Sequence, residues 1–287
     1  MGLLKPYKLL EQKYVNFVGS KFAISCNSGT SALHLALLAC GVTKEDEVIV
    51  PDFTMAACGF AVSYCGATPV FVDCDDSLCI DWRLIEKKIT KNTKAIMAVH
   101  IYGRLCNMKE ILRIAKTHHL KVIEDACEAQ GAVYKSKADI TCYSFYENKI
   151  IHAEEGGMCT TDNKKYADRM NYLKNMAFSE EHDYFHKEIG YNYRMPNSQA
   201  LLALKSLKEY PKANIQRRIR ECVFYLMDFN FKPHDAVWVL DTLNPYIKKG
   251  KNIRPFFKHL SSFPMYGGKC QSPKALYYSK CGHYIKL

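Results

Sequence analysis

An α/β fold with a mainly parallel sheet is predicted by three features of this 287-residue chain. Short β-rich runs alternate with amphipathic stretches through the first two thirds. The runs are continuously apolar, as expected of strands covered on both faces. Helical patterns separate successive runs, the signature of βαβ units.

Taken in order, FAISC (22–26) predicts the first strand, and a helix over 30–40 places Ala32, Leu33, Ala36 and Leu37 on one face. VIV (48–50) precedes a helical stretch over 54–65, and VFVD (70–73) follows. A turn of helix near 82–89 leads to AIMAVH (95–100), and a helix over 108–118 leads to KVIED (121–125) and ITCYSF (140–145). From about 165 the pattern changes to a charged helical region (164–188), the motif GYNYRMPN (190–197) and a long helix over 197–228. VWVL (237–240) and IRPFF (253–257) suggest a small α+β segment. The expected division is a large domain over 1–195, then the long helix and a reduced C-terminal domain over 196–287.

Composition narrows the function classes. The chain is 48% hydrophobic and 24% charged, the balance of a folded protein rather than a disordered one. No apolar run approaches the ~18 residues a membrane span requires, and the N-terminus MGLLKPYKLLEQKY has no signal-peptide core. A cytoplasmic protein without a membrane partner is therefore expected. The thirteen cysteines are odd in number and form no C-x-x-C pair, so they read as reduced, mostly buried thiols. No metal is expected: His182 and His186 stand four apart but lack further ligands. The net charge of +11 suits an anionic partner. No nucleic-acid-binding motif accompanies it, so nucleic acid is not expected.

Three segments fall where strands hand over to loops or helices, the usual place for ligands in such sheets. In NSGTSALHLAL (27–37), Gly29, Thr30 and Ser31 open a helix whose free N–H groups could cradle a phosphate; an ordinary capped helix has the same look. In VIEDACEAQGA (122–132), Asp125 ends an apolar strand, where a carboxylate must be paired. It could hold a protonated ring nitrogen or simply cap the junction. In CYSFYENKIIHAEEGGM (142–158), Lys149 follows Ser144 by five residues. A desolvated lysine near other cations can have the lowered pKa that Schiff-base chemistry needs, although most lysines are surface residues.

These motifs, together with DEVIVPDFT, YCGATPVFVD, TKAIMAVHIYG, SFYENKIIHAEEGG and GYNYRMPN, resemble the DegT/DnrJ/EryC1/StrS sugar aminotransferases. The resemblance runs from about residue 10 to about 260. It implies an aspartate-aminotransferase-like (PLP fold type I) large domain and pyridoxal 5'-phosphate (PLP) as cofactor. Lys149 then matches the lysine that bonds the cofactor and moves the reaction's proton. Asp125 matches the acid on the ring nitrogen, and Glu128 lies near the cofactor's 3-oxygen. Gly29, Thr30 and Ser144 match phosphate ligands, Met55 the residue stacked on the ring. Asn192 matches an asparagine that reaches the neighbouring subunit's cofactor, which implies a homodimer with shared sites. His100, Tyr102 and Arg254 match the region around the nucleotide sugar. The implied reaction converts a nucleotide-linked 4-keto-6-deoxyhexose to its 4-amino sugar, with glutamate as amino donor.

Several positions depart from the family pattern. Met55 replaces an aromatic ring, Cys58 and Phe60 replace small polar residues and so reduce hydrogen-bonding capacity, and Glu154 replaces a glycine. The loop between Tyr134 and Asp139 and the C-terminal domain are short. The alternative expectation is a truncated, catalytically impaired homologue acting as a binding or assembly partner.

Overall fold

The computed structural model describes residues 4–179, 184–209, 252–255, 257–269, 272–281 and 283–286. Its centre is a seven-stranded sheet of β1 (Phe22–Cys26), β2 (Glu47–Pro51), β3 (Thr68–Val72), β4 (Thr93–Val99), β5 (Lys121–Asp125), β6 (Ile140–Ser144) and β7 (Gly157–Thr161). The spatial order is β1-β7-β6-β5-β4-β2-β3. Only β7 runs against the others, antiparallel to both β1 and β6. The remaining neighbours are parallel, with Val99, Asp125 and Cys142 aligned side by side. Three functional strand ends therefore meet along one edge.

Helices cover both faces, as a parallel sheet requires. α2 (Gly29–Ala39) buries Ala32 through Leu37 without a break, so its apolar character runs all round. It packs among α3 (Ala56–Tyr64), α6 (Lys164–Lys174) and strands β6 and β7. α4 (Trp82–Ile85) and α5 (Met108–Thr117) lie over another part of the sheet, where Ile111 and Ile114 join the core of Ile49 and Ile96. α1 (Pro6–Val18) and α7 (Asn197–Glu209) enclose a further cluster with Tyr14, Tyr143 and Phe145.

The apolar pattern of the sequence locates six of the seven strands to within about two residues at each end. It assigns no element to α1, which starts on a proline at its first turn and ends at left-handed Gly19. It also assigns none to β7: the run GMCTT ends in two threonines, yet all five residues are buried. The charged helix expected over 164–188 stops at Lys174, and Met176 and Ala177 both adopt left-handed backbone, which no helix can continue through. The helix expected over 197–228 is seen as Asn197–Glu209; its remainder, VWVL (237–240) and His182 lie outside the described residues.

The C-terminal segment is fixed to the sheet by carboxylates that end strands. Asp52, fully buried just after β2, accepts hydrogen bonds from the Ser261 amide and hydroxyl, both at 2.7 Å. Asp73, just after β3, accepts from the amides of Lys274 and Ala275 at 3.0 and 2.8 Å. It thereby caps the helix Pro273–Cys281 from two hundred residues away in sequence. The strand Asn252–Pro255 pairs with His283–Lys286 as a separate two-stranded sheet.

Candidate active site

A cavity of about 370 Å³ opens at the carboxyl ends of β4, β5 and β6 and the N-terminus of α2, a size usual for small-molecule sites. Gly29, Thr30, Met55, His100, Asp125, Glu128, Ser144 and Lys149 all line it. Ser28 caps α2 by accepting from the Ser31 amide at 3.1 Å. The next amides, of Gly29 and Thr30, lie in the first turn, where no intrahelical acceptor exists. A Cβ on Gly29 would lie 2.8 Å from the Ser144 Cβ, so only glycine lets the helix end close on β6. Backbone donors and the Ser144 side chain thus converge with the dipole of an eleven-residue helix, a cradle fit for a phosphate.

Asp125 is held from two sides at the end of β5. The Cys127 amide donates to Oδ1 at 2.9 Å, and the Cys58 thiol donates to Oδ2 at 3.3 Å. Next to it, Glu124 points to the opposite face, as alternation along a strand demands. There it binds His100 Nε2 at 2.8 Å and the Thr141 hydroxyl at 2.9 Å. The Cys106 amide donates to His100 Nδ1, so Nε2 carries the proton given to Glu124. Burial alone would raise the Glu124 carboxyl, but the His100 bond and the bonds from Ser136 and Thr141 outweigh it and hold it below the ordinary value.

Lys149 sits in the loop between β6 and β7. Gln130 shapes that loop: its Nε2 donates to the carbonyls of Ser144 and Ile151, and its Oε1 accepts from the Ile151 amide at 2.6 Å. Glu154, where a glycine was expected, has φ +64°, the left-handed conformation that glycine adopts most easily. The Lys149 ammonium lies 3.5 Å from Glu128 Oε1, while the Tyr102 amide donates to Glu128 Oε2 at 2.8 Å. Burial works to lower the Lys149 pKa, but Glu128, with lesser contributions from Cys127 and Asp125, prevails and raises it. The lowered pKa expected from the sequence is thus reversed by a carboxylate partner.

The remaining expected residues are placed differently. Met55 is at the cavity mouth with 55% of its surface exposed. His100 is 1% exposed, with both ring nitrogens engaged inside the protein. Tyr102 has left-handed backbone (φ 52°) and stacks on Phe257, centroids 5.2 Å apart, which closes one side of the cavity. Asn192 does not line this cavity. It lines a second one of about 710 Å³, with Arg194 and Asn175. Arg254 is on the strand Asn252–Pro255; its side chain lies outside the described residues. Sequence reasoning passed over Gln130, Glu124 and Phe257. All three stood in quoted motifs; for the first two, a buried polar residue beside a strand end was the available signal.

A model of the DegT/DnrJ/EryC1/StrS aminotransferase family matches residues 5–231. The chain belongs to this family. Its PLP-binding members share the type I fold seen here. The chain is 46% identical over 204 residues to GDP-perosamine synthase of Caulobacter vibrioides, covering 69% of this chain and 55% of that protein. It is 37% identical over 292 aligned positions to GDP-perosamine synthase of Escherichia coli O157:H7, covering 92% and 78%. The chain therefore spans about half the length of the first relative and over three quarters of the second. The crystal structure of NtdA from Bacillus subtilis with bound cofactor PMP superposes with a TM-score of 0.85 at 26% identity, covering all of this chain and 73% of that one. The cavity of this chain fits the same type of cofactor: an amine, an acid for a ring nitrogen and a phosphate cradle face one space.

Proposed function

We propose that the protein is a PLP-dependent aminotransferase that converts a nucleotide-linked 4-keto-6-deoxyhexose to the 4-amino sugar, with glutamate as amino donor. The observation that carries the reading is the convergence of Lys149, Asp125 and the Gly29–Thr30–Ser144 cradle in one cavity. The sugar is inferred from the GDP-perosamine synthases. A catalytically impaired assembly partner is not favoured, since no member of this set is missing.

Bound there, PLP supplies an electron sink that stabilises negative charge on the carbon bearing the amino group. Asp125 would hold a proton on the ring nitrogen. The first-turn amides and Ser144 would anchor the phosphate. Lys149 Nζ would take the proton from the donor's α-carbon in the first half-reaction and deliver one to C4 of the sugar in the second. Glu128 keeps that amine charged until the site is occupied, and Phe257, backed by Tyr102, forms one wall. Residues 1–195 carry the cofactor in this reading and 196–287 complete the substrate side, with Arg254 toward the nucleotide. A homodimer, with Asn192 offered to the neighbouring cofactor, and a cytoplasmic location complete it. Among the described residues no helix is long and apolar enough to cross a membrane.

The test is the visible absorption of the purified protein with added PLP. A band that bleaches on addition of glutamate supports the first half-reaction. Incubation with GDP-, UDP- and dTDP-linked 4-keto-6-deoxyhexoses, with NMR of the product, then reads the nucleotide and the aminated carbon. Absence of any PLP band overturns the proposal.

A further inference from the structure

Cys58 was expected to weaken hydrogen bonding beside the cofactor, because a thiol stands where small hydroxyl residues are usual. Its surroundings say otherwise. Cys58 is on the first turn of α3, fully buried, with Sγ 3.3 Å from Asp125 Oδ2 and 3.3 Å from the Thr54 hydroxyl. Thr54 is itself buried. A carboxylate can only accept, so the thiol must donate to Asp125, which leaves its sulfur to accept from Thr54 O–H. Burial, and then the charge of Asp125, push the thiol pKa well above its ordinary value, so the proton stays on sulfur. The other carboxylate oxygen is taken by the Cys127 amide. The acid is thus clamped at both oxygens, once by backbone and once by a side chain from a helix on a different strand connection.

We propose that Cys58 is a positioning residue: the Thr54–Cys58–Asp125 chain fixes the rotation of the Asp125 carboxylate and so aims it at the cofactor's ring nitrogen. This rests on the cofactor reading above, but the contact itself does not. A thiol is a weaker, longer donor than a hydroxyl, and it leaves more of the carboxylate's charge for the ring nitrogen than a serine would. The sulfur also fills a site with no exposed surface, where a smaller side chain leaves Asp125 free to turn.

Two readouts test this on the full-length protein. The first needs no cofactor. The S–H stretch falls in an infrared window free of other protein bands, and it moves to lower frequency when the thiol donates. A difference spectrum of wild type against Cys58→Ser isolates this one thiol among thirteen. The band is expected to be red-shifted, and to move back in Asp125→Asn. A band at the free-thiol position in wild type, or one unmoved by Asp125→Asn, overturns the proposal. The second readout is PLP retention, followed by absorbance during dialysis. Cys58→Ala is expected to retain PLP about tenfold less tightly, the loss of one hydrogen bond to a charged group. Cys58→Ser, which can still donate, is expected to restore most of it. Equal retention in all three proteins overturns the positioning role. A red-shifted band in a wild-type protein that takes up no PLP overturns the cofactor reading and the positioning role with it.

Discussion

Glu128 sets the charge of Lys149, and this is the residue-level feature most open to experiment. The folded-state pKa of the lysine is raised. Stability from the pair is therefore complete below the lysine's ordinary pKa and is lost as pH rises through the folded value. Glu128→Gln removes that partner, and burial then favours the neutral amine. The pH at which Lys149 becomes reactive is expected to fall, and PLP uptake at neutral pH to quicken; stopped-flow absorbance across pH checks both. Glu154 gives a second prediction. Its left-handed backbone costs about 1 kcal/mol, so Glu154→Gly is expected to raise Tm by about 2–4 °C, measured by calorimetry. The positions of the acid and the cradle at element ends were legible in the sequence, whereas Lys149, in the loop after β6, stood out only through its spacing from Ser144 and the family resemblance. The sign of the Lys149 shift was not legible, since it depends on a carboxylate twenty-one residues away that the fold brings to 3.5 Å. The partner of Cys58 was hidden for the same reason: its acceptor is 67 residues away in sequence.

At the scale of elements, α1 shows what periodicity misses. Besides the apolar packing of Leu10, Tyr14 and Val18, an ionic contact ties it to the sheet. Glu11 accepts from the Ser25 amide and hydroxyl at 2.9 and 2.8 Å, and from Lys174 at 3.2 Å. Lys174 donates also to the Ser25 carbonyl. Burial opposes charge on Glu11, yet Lys174 and these bonds keep its carboxyl below the ordinary value. Breaking such a pair leaves a buried cation without its charged partner, so Glu11→Ala is expected to cost about 3–5 kcal/mol, visible as an earlier midpoint in urea denaturation. Glu11→Ala with Lys174→Met should recover much of it. Glu11 and Lys174 are 163 residues apart, so this part of the helix's anchoring carries no signal in a local hydrophobic pattern. β7 escaped because its threonines satisfy their hydroxyls inside the protein: Thr161 donates to the Asp139 carbonyl at 2.7 Å.

Across the whole molecule, the cavity is assembled from segments far apart in the chain. Phe257 closes it, and the segment bearing Phe257 is bound through Ser261 to Asp52. Asp52→Ala removes two hydrogen bonds to a charged group, worth about 1.5–3 kcal/mol each. Limited proteolysis is expected to cut the C-terminal segment sooner in this variant, with weaker PLP retention; unchanged cleavage and retention would refute the coupling. The fold class was readable from alternation of strands and helices alone. This docking was not, because the carboxylates that end β2 and β3 look like ordinary turn residues until their partners arrive. That arrival has a clock. Asp52 leaves the ribosome 209 residues before Ser261. The sheet itself is complete only at Thr161, 100 residues before Ser261, so at a synthesis rate of about 5–20 residues per second it waits roughly 5–20 s for the wall of its cavity. During that interval a nascent chain would hold its lysine and acid in an open cleft.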